Sequence, residues 1–301
     1  MKDTVSVIIP TYKSGETLTR AIDSVLAQSY NDVEAVVVDD NNPDTVERVQ
    51  TESLMQNYVD NPKVIYIKHE KNKNGAAARN TAFANSKGSY IAFLDDDDFF
   101  LPEKIQQQVD YLNKNRNIGG CYCWRNQFGS DICGEYEGDL TYEILSLDFT
   151  PYTSCVMIRR ECFESLNGFD ESYYRHQDFE FLLRYFERYT MGFVPYVGVI
   201  ISTNGVNNIP KGQKLVDIKE LFFGQFTSTI DRVTEGNKKK RQYIYNNHFA
   251  RTFKDLLRYG YPVLAFQVYF KYGIKGGIGF WKLFVKLCTN GMKERLKQKN
   301  K

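Results

Sequence analysis

The stretch YIAFLDDDDFFLP, residues 90–102, sets four carboxylates in a row, Asp95, Asp96, Asp97 and Asp98, at the end of an apolar run. Most short charge runs are solvated turns before a helix, and that reading applies here too. Yet IAFL has the composition of a buried strand, so the acids would stand at a sheet edge where water screens their repulsion only weakly. A bound cation would relieve it. A calcium loop of the helix-loop-helix type is disfavoured, because the glycine required after the third acid is absent and Phe99 and Phe100 follow. Mg2+ or Mn2+ fits clustered carboxylates better, since these hard ions take few protein ligands and fill their shell with substrate oxygens.

Elements that would position such a cluster are legible around it. VSVIIPTY, VEAVVVDDNN, KVIYIKH and SYIAFL read as short buried strands. Between them lie GETLTRAIDSVLAQS, with Leu18, Ile22, Val25 and Leu26 on one side, PDTVERVQTESLMQNYV and AAARNTAFANS, which read as helices. This alternation predicts an α/β domain on a mostly parallel sheet, whose ligands bind in the crevice beyond the carboxyl ends of the strands. Further on, EKIQQQVDYLNKN predicts a helix, IGGCYCW a strand, and SCVMIRRECFESLNGFDES a strand, short helix and turn. QDFEFLLRYFERY predicts an amphipathic helix with Phe179, Leu182, Leu183 and Phe186 on its apolar side. TNGVNNIPKGQK reads as the linker to a helical C-terminal extension, dividing the chain into 1–205 and 206–301.

The 301 residues are ample to bury a core. A net charge of +2 conceals a split: residues 237–301 hold 16 Lys and Arg against Asp255 and Glu294, leaving 23 basic and 35 acidic residues before them. An acidic body of this kind disfavours nucleic acid as a partner. The six cysteines, in a sequence that opens without an apolar secretory segment, read as reduced thiols of a cytoplasmic protein; Cys121, Cys123 and Cys133 lack the paired spacing of a metal site. No uninterrupted apolar run is long enough for a spanning helix.

Five stretches over most of the first 200 residues, VSVIIPTYKSGETLTRAIDSVLAQSY, VVVDDNN, NGAAARNTAF, GSYIAFLDDDDFFLPEKI and NGFDESYYRHQDFEFLLR, resemble in order and spacing the family 2 glycosyltransferases of GT-A fold. The resemblance implies an inverting, metal-dependent transferase that moves a sugar from a nucleotide diphosphate, UDP being expected, to an acceptor hydroxyl. It places Pro10 and Tyr12 in the base and ribose pocket, where an aromatic ring stacks on a nucleobase. It also places Asp40 on the uracil or ribose, Arg79 near the base and diphosphate, and Asp96 near the ribose, with Asp39 structural. Asp95-x-Asp97 matches the metal motif; Asp97 is the foremost metal ligand, with Asp95 beside it, and Asp98 ranks last of the four. Asp178 takes the position of the base. The acid that usually precedes it is replaced by Gln177, and His176 is a candidate helper. Asp178 would also serve as a helix cap, and the two roles are compatible.

Residues 276–301 interleave Phe280, Trp281, Phe284, Val285 and Leu287 with lysines and arginine, a composition that lies on anionic membrane surfaces or packs as an ordinary helix. Since relatives of this kind build surface polysaccharide on lipid-linked acceptors, the expected location is cytoplasmic, peripheral on the inner membrane face. Two other readings stand beside this one: a non-catalytic nucleotide-sugar or polysaccharide binding protein of the same fold, and a nucleotidyltransferase. The last would need a Gly-rich phosphate loop near the first strand, for which PTYKSGETL is a poor candidate.

Overall fold

The computed structural model describes residues 3–202 and 210–299, with side chains up to Thr289. It divides into two compact units, Met1–Leu140 with Pro151–Val206, and Thr141–Thr150 with Asn207–Lys301. Most of the TNGVNNIPKGQK linker lies outside the described residues.

The first unit is built on one sheet. Strands β1 (Val5–Thr11), β2 (Val33–Asp39), β3 (Val64–Lys68) and β4 (Tyr90–Phe93) are followed by β5 (Phe99–Phe100), β6 (Gly120–Gln127), β7 (Ser130–Ile132), β8 (Val156–Arg159) and β9 (Met191–Ile201). They order as β3-β2-β1-β4-β8-β6-β9-β5, with β7 paired to β6. The pairs across β3-β2-β1-β4 are parallel, and every residue of β2 and β4 is buried, the continuous run that a doubly covered parallel sheet requires. Beyond β4 the sheet is mixed: β8 is antiparallel to both β4 and β6, and β6 is parallel to β9. The carboxyl ends of β1, β2, β4, β6 and β9 therefore share one edge, and β8 starts from it.

Helices α1 (Thr17–Leu26), α2 (Val46–Met55), α3 (Gly75–Ala84), α4 (Lys104–Lys114), α6 (Arg160–Ser165) and α7 (Gln177–Phe186) flank the sheet, while α5 (Thr141–Ser146) falls in the second unit. Helix α1 buries Leu18, Ala21, Ile22 and Val25. In α7 the buried face is Phe181, Leu182, Leu183, Tyr185 and Phe186; Phe179, expected there, is only half-buried. The face is displaced because Glu180 is itself buried, paired with Arg184, whose guanidinium also donates to the Leu166 and Gly168 carbonyls.

The second unit is helical: α8 (Gln213–Gln225), α9 (Thr227–Thr234), α10 (Lys238–Arg258), α11 (Pro262–Val268) and α12 (Gly277–Lys299). Residues Thr141–Thr150 join it for a local reason. His248 Nε2 donates to the Leu145 carbonyl at 2.9 Å, which leaves Nδ1 to accept from Lys219 at 3.1 Å, and Tyr243 donates to Asp148 at 2.7 Å. Among the described residues no helix is long and apolar enough to cross a membrane. All six cysteines are unpaired thiols; Cys121 and Cys123 are buried on β6 while Cys133 is exposed.

The end of β2 depends on a cation that sequence patterning assigns to a polar helix face. Arg48 of α2 is 6% exposed, lies 3.3 Å from the fully buried Asp39 carboxylate and donates to the carbonyls of Asp39, Asn41 and His69. Removing one partner of such a pair strands a buried charge. Arg48→Met is expected to cost ~3–5 kcal/mol of stability, read as a lowered urea midpoint; a loss under ~1 kcal/mol would mean that Tyr66 and Asn41, which also donate to Asp39, suffice without it.

Candidate active site

The shared strand edge gathers residues that lie far apart in sequence. From β1 come Pro10, half-buried in register with Val38, and Tyr12, 42% exposed, with the Lys13 ammonium 5.2 Å from its ring centroid. The Tyr12 amide donates to Asp96 at 3.1 Å, so the aromatic platform and the acid cluster are tied together.

Each acid of the cluster has a different environment. Asp95 accepts from Arg79 Nη2 at 2.6 Å, and its amide donates to Ser154 Oγ at 3.2 Å. Asp96 accepts from Tyr12 and from the Thr11 hydroxyl, yet burial pushes its carboxyl up to about 7, with Asp95 and Asp97 adding to the rise. Asp98 is 2% exposed and accepts from Ser154 at 2.6 Å and from the Ser202 amide at 2.9 Å; burial, then the Asp95 charge, raises its pKa as well. Asp97 is half-buried, and its pKa is raised by burial and by Asp95. Among the described residues, no other residue donates a hydrogen bond to its carboxylate; Arg20 donates to its main-chain oxygen instead, at 2.8 Å.

This donor set suits a hard divalent ion. Asp97 is engaged only by its own main-chain amide and Asp95 has one oxygen available, whereas Asp98 faces inward with its oxygens already bonded. Among the described residues no three His, Cys, Asp or Glu side chains assemble a metal cage. A cation here would rest on one or two carboxylates and take its other ligands from water or substrate, as Mg2+ and Mn2+ do.

Asp40 is placed differently from expectation. It is 2% exposed, and four protein donors surround it: His69 Nδ1 (2.7 Å) and the Lys73 amide (2.8 Å) on one oxygen, Asn72 Nδ2 and the Asn74 amide (both 2.9 Å) on the other. These fill the lone-pair positions of an ionised carboxylate, so no oxygen is left for a base or ribose. Asp40 instead fixes the loop that starts α3. Asn74, at φ 106°, then caps that helix by accepting from the Ala76 and Ala77 amides.

Arg79, one turn into α3, links the acids to α7. Its Nη1 donates to Gln177 Oε1 at 3.2 Å, and Gln177 Nε2 donates to the Tyr173 carbonyl at 2.8 Å. His176 takes the left-handed conformation, φ 61°, at the N-terminus of α7, and its side chain makes no cap there. Asp178 follows in the first turn. It is half-buried beside a small cavity of ≈ 10 Å³ lined by Phe93, Thr153, Phe169 and Phe181. Burial raises its pKa, while the Phe179 amide and the Arg79 charge oppose the rise.

Three contributors were not singled out by the sequence. Ser154 enters with β8, Ser202 with β9, and Asn80 of α3 clamps the NGFD turn, accepting from the Phe169 amide and donating to its carbonyl, both at 2.9 Å. Gly168 in that turn has φ 68°, and a Cβ there would collide with Asn80 Oδ1. The ARN triplet held the only hint.

The amylovoran biosynthesis glycosyltransferase AmsB of Erwinia amylovora is 31% identical over 198 residues, 61% of this chain and 64% of AmsB. The Escherichia coli protein WfaP, a UDP-Glc:alpha-D-GlcNAc-diphosphoundecaprenol beta-1,3-glucosyltransferase, is 34% identical over 112 residues, 37% of this chain and 42% of WfaP. The chain thus spans less than two thirds of the length of these relatives. The crystal structure of S. aureus TarS 1-349 in complex with UDP-GlcNAc superposes with a TM-score of 0.59 over 95% of this chain and 92% of that one, at 15% identity, a likeness of fold. Residues 6–166 match the family described as Glycosyl transferase family 2. With that match extending over more than half of its length, and with the GT-A architecture of its sheet, the chain belongs to glycosyl transferase family 2.

Proposed function

We propose that the chain is an inverting glycosyltransferase that moves a sugar from a UDP-sugar to a hydroxyl of a saccharide or lipid-linked saccharide in surface polysaccharide synthesis. The observation that carries this reading is the convergence of Tyr12, Arg79, the Asp95–Asp97 pair and Asp178 on one sheet edge. The polysaccharide named for AmsB, the lipid-linked acceptor named for WfaP and the UDP-GlcNAc bound to TarS support the substrate classes.

In this reading the exposed Tyr12 ring stacks on the base, and Arg79 and the first turn of α3 lie against the donor's phosphates. Asp178 takes the proton of the acceptor hydroxyl. The freed oxygen bonds to the anomeric carbon as the bond from that carbon to the diphosphate oxygen breaks on the opposite face, its electron pair leaving with the nucleotide. Asp97 and Asp95 would hold Mg2+ or Mn2+, which when bound supplies charge neutralisation for the departing diphosphate. The raised pKa of Asp178 suits a base, since a stronger base accepts the proton more readily.

Asp178→Asn is expected to lower turnover by ~10²–10⁴-fold while UDP-sugar affinity, measured by calorimetry, stays within a few-fold. Wild-type turnover in the variant would refute the base; a wild-type chain that binds donor and never turns over would mark a binding protein. A thermal-shift panel of UDP-sugars with and without Mn2+ tests the metal. Stabilisation of ~2.7 kcal/mol at a hundredfold excess over Kd is expected only when Mn2+ is present, and Asp97→Asn is expected to remove it; equal shifts without metal would refute the role of Asp97.

The location proposed is the cytoplasmic face of an anionic membrane, and the second unit offers a surface suited to an anionic lipid interface. Val263, Phe266 and Phe270 follow one another at helical spacing along α11 and the turn after it, Ile274 comes next, and Ile278, Trp281 and Val285 continue at the same spacing on α12. Their exposures run from 36% to 75%, and the lysines Lys275, Lys282 and Lys286 are exposed among them. Phe280, expected on that face, is instead fully buried against Phe253 and Tyr269. Apolar ridges interleaved with lysines fit an anionic lipid interface. Co-sedimentation with phosphatidylglycerol-containing vesicles is expected, with little binding to pure phosphatidylcholine. The pair Phe270→Glu and Ile278→Glu is expected to abolish it; retained binding would refute this surface.

A further inference from the structure

Arg125 stands at the carboxyl end of β6, the edge at which the acid cluster ends β4. With β8 between them, the two strands lie about 10 Å apart across the sheet. Among the described residues the Arg125 side chain forms no ion pair and no hydrogen bond, and its Nε is buried without a partner. Its guanidinium lies over the Tyr152 ring, 5.0 Å from the centroid. Tyr152 is held close to the acids by its own segment: two residues on, Ser154 donates to Asp98 at 2.6 Å and receives the Asp95 amide at 3.2 Å.

A half-buried guanidinium left unpaired two strands from a cluster of carboxylates is costly, and pairing would be the ordinary resolution. Among the described residues it does not occur: Asp98 is bonded to Ser154 and Ser202, Asp95 is bonded to Arg79, no ion pair joins Arg125 to Asp97, and Tyr152 lies against the guanidinium. A guanidinium whose plane is set by an aromatic ring presents its remaining N–H groups as a fork, the geometry that recognises carboxylate or phosphate bidentately.

We propose that Arg125, backed by Tyr152, is a specificity subsite for an anionic group, a carboxylate or phosphate, carried by the sugar or the acceptor beyond the donor diphosphate. The proposal rests on the glycosyl-transfer reading above. It commits Arg125 to a charged group; WfaP is named for a diphosphate-bearing acceptor, and no named relative assigns a residue to that charge.

Two matched pairs of probes test it and separate the sources: UDP-glucuronate against UDP-glucose for the donor, and N-acetylglucosamine 1-phosphate against N-acetylglucosamine, with UDP bound, for the acceptor. In one pair the anionic member is expected to bind about tenfold tighter than its neutral partner. Arg125→Gln is expected to bring the two within about twofold while leaving affinity for UDP unchanged, and Arg125→Lys to keep part of the preference. Unchanged UDP affinity shows that the variants fold. Absence of charge preference in both pairs, or a preference that survives Arg125→Gln, would overturn the proposal. If UDP itself fails to bind the wild-type chain, the donor reading falls. The acceptor pair, measured without nucleotide by ligand-observed NMR, then decides Arg125 by the same criterion.

Discussion

Four adjacent carboxylates at the end of a buried strand set the terms for the rest of this structure. Two like charges 4 Å apart repel by about 4 kcal/mol at the effective dielectric of a protein surface, so the cluster survives only if each charge is answered separately. Asp95 is answered by Arg79, Asp96 by the Tyr12 amide and the Thr11 hydroxyl, and Asp98 by Ser154 and the Ser202 amide. The donors come from α3, β1, the turn before β8, and the end of β9. Asp97 is left with its own main-chain amide and the weaker influence of Arg20, whose hydrogen bond goes to the main chain. Satisfaction of three acids and exposure of the fourth is what converts an electrostatic cost into a candidate cation site.

That outcome depends on strand direction. Parallel β1, β2 and β4 deliver Tyr12, Asp40 and the acids to one edge, and β8, entering antiparallel from the same edge, brings Ser154 in at its start. β6 and β9 regain the original direction and add Arg125 and Ser202. Neighbours in the site are therefore up to about a hundred residues apart in sequence, as Asp98 and Ser202 are. Their meeting requires the whole sheet, and this explains why a single stretch of the sequence carries little of the chemistry.

The first four strands and the helices between them were legible because buried parallel strands read as unbroken β-branched runs and the helices keep an apolar face. The acid cluster was legible for the same reason, being charge where the pattern demanded none. What escaped were groups whose burial contradicts their type. Arg48 and Glu180 look like solvent-facing helix residues, and Lys104 sits fully buried, donating to Gln108 and 3.9 Å from the Phe100 ring centroid. Periodicity cannot assign these, because their partners come from other elements. Asp40 escaped differently: its residue type fits both a ligand contact and a loop anchor, and only the four donors around it decide between them.

Gln177 shows how a departure from a family pattern becomes intelligible once charges are counted. An acid at this position would compete with Asp95 for Arg79, and the cluster would lose part of its one guanidinium partner. The neutral amide accepts from Arg79 at 3.2 Å without drawing its charge away, and its own nitrogen is satisfied by the Tyr173 carbonyl. Asp178 then faces opposing influences, among them a smaller rise from the Asp95 charge. Burial raises its pKa, the first-turn amides of α7 lower it, and Arg79 lowers it from across the site. A second carboxylate next to it would have added repulsion to the first of these. With Gln177 in place, Arg79 serves both ends of the site: it holds Asp95 in a direct ion pair and acts on Asp178 through the field alone.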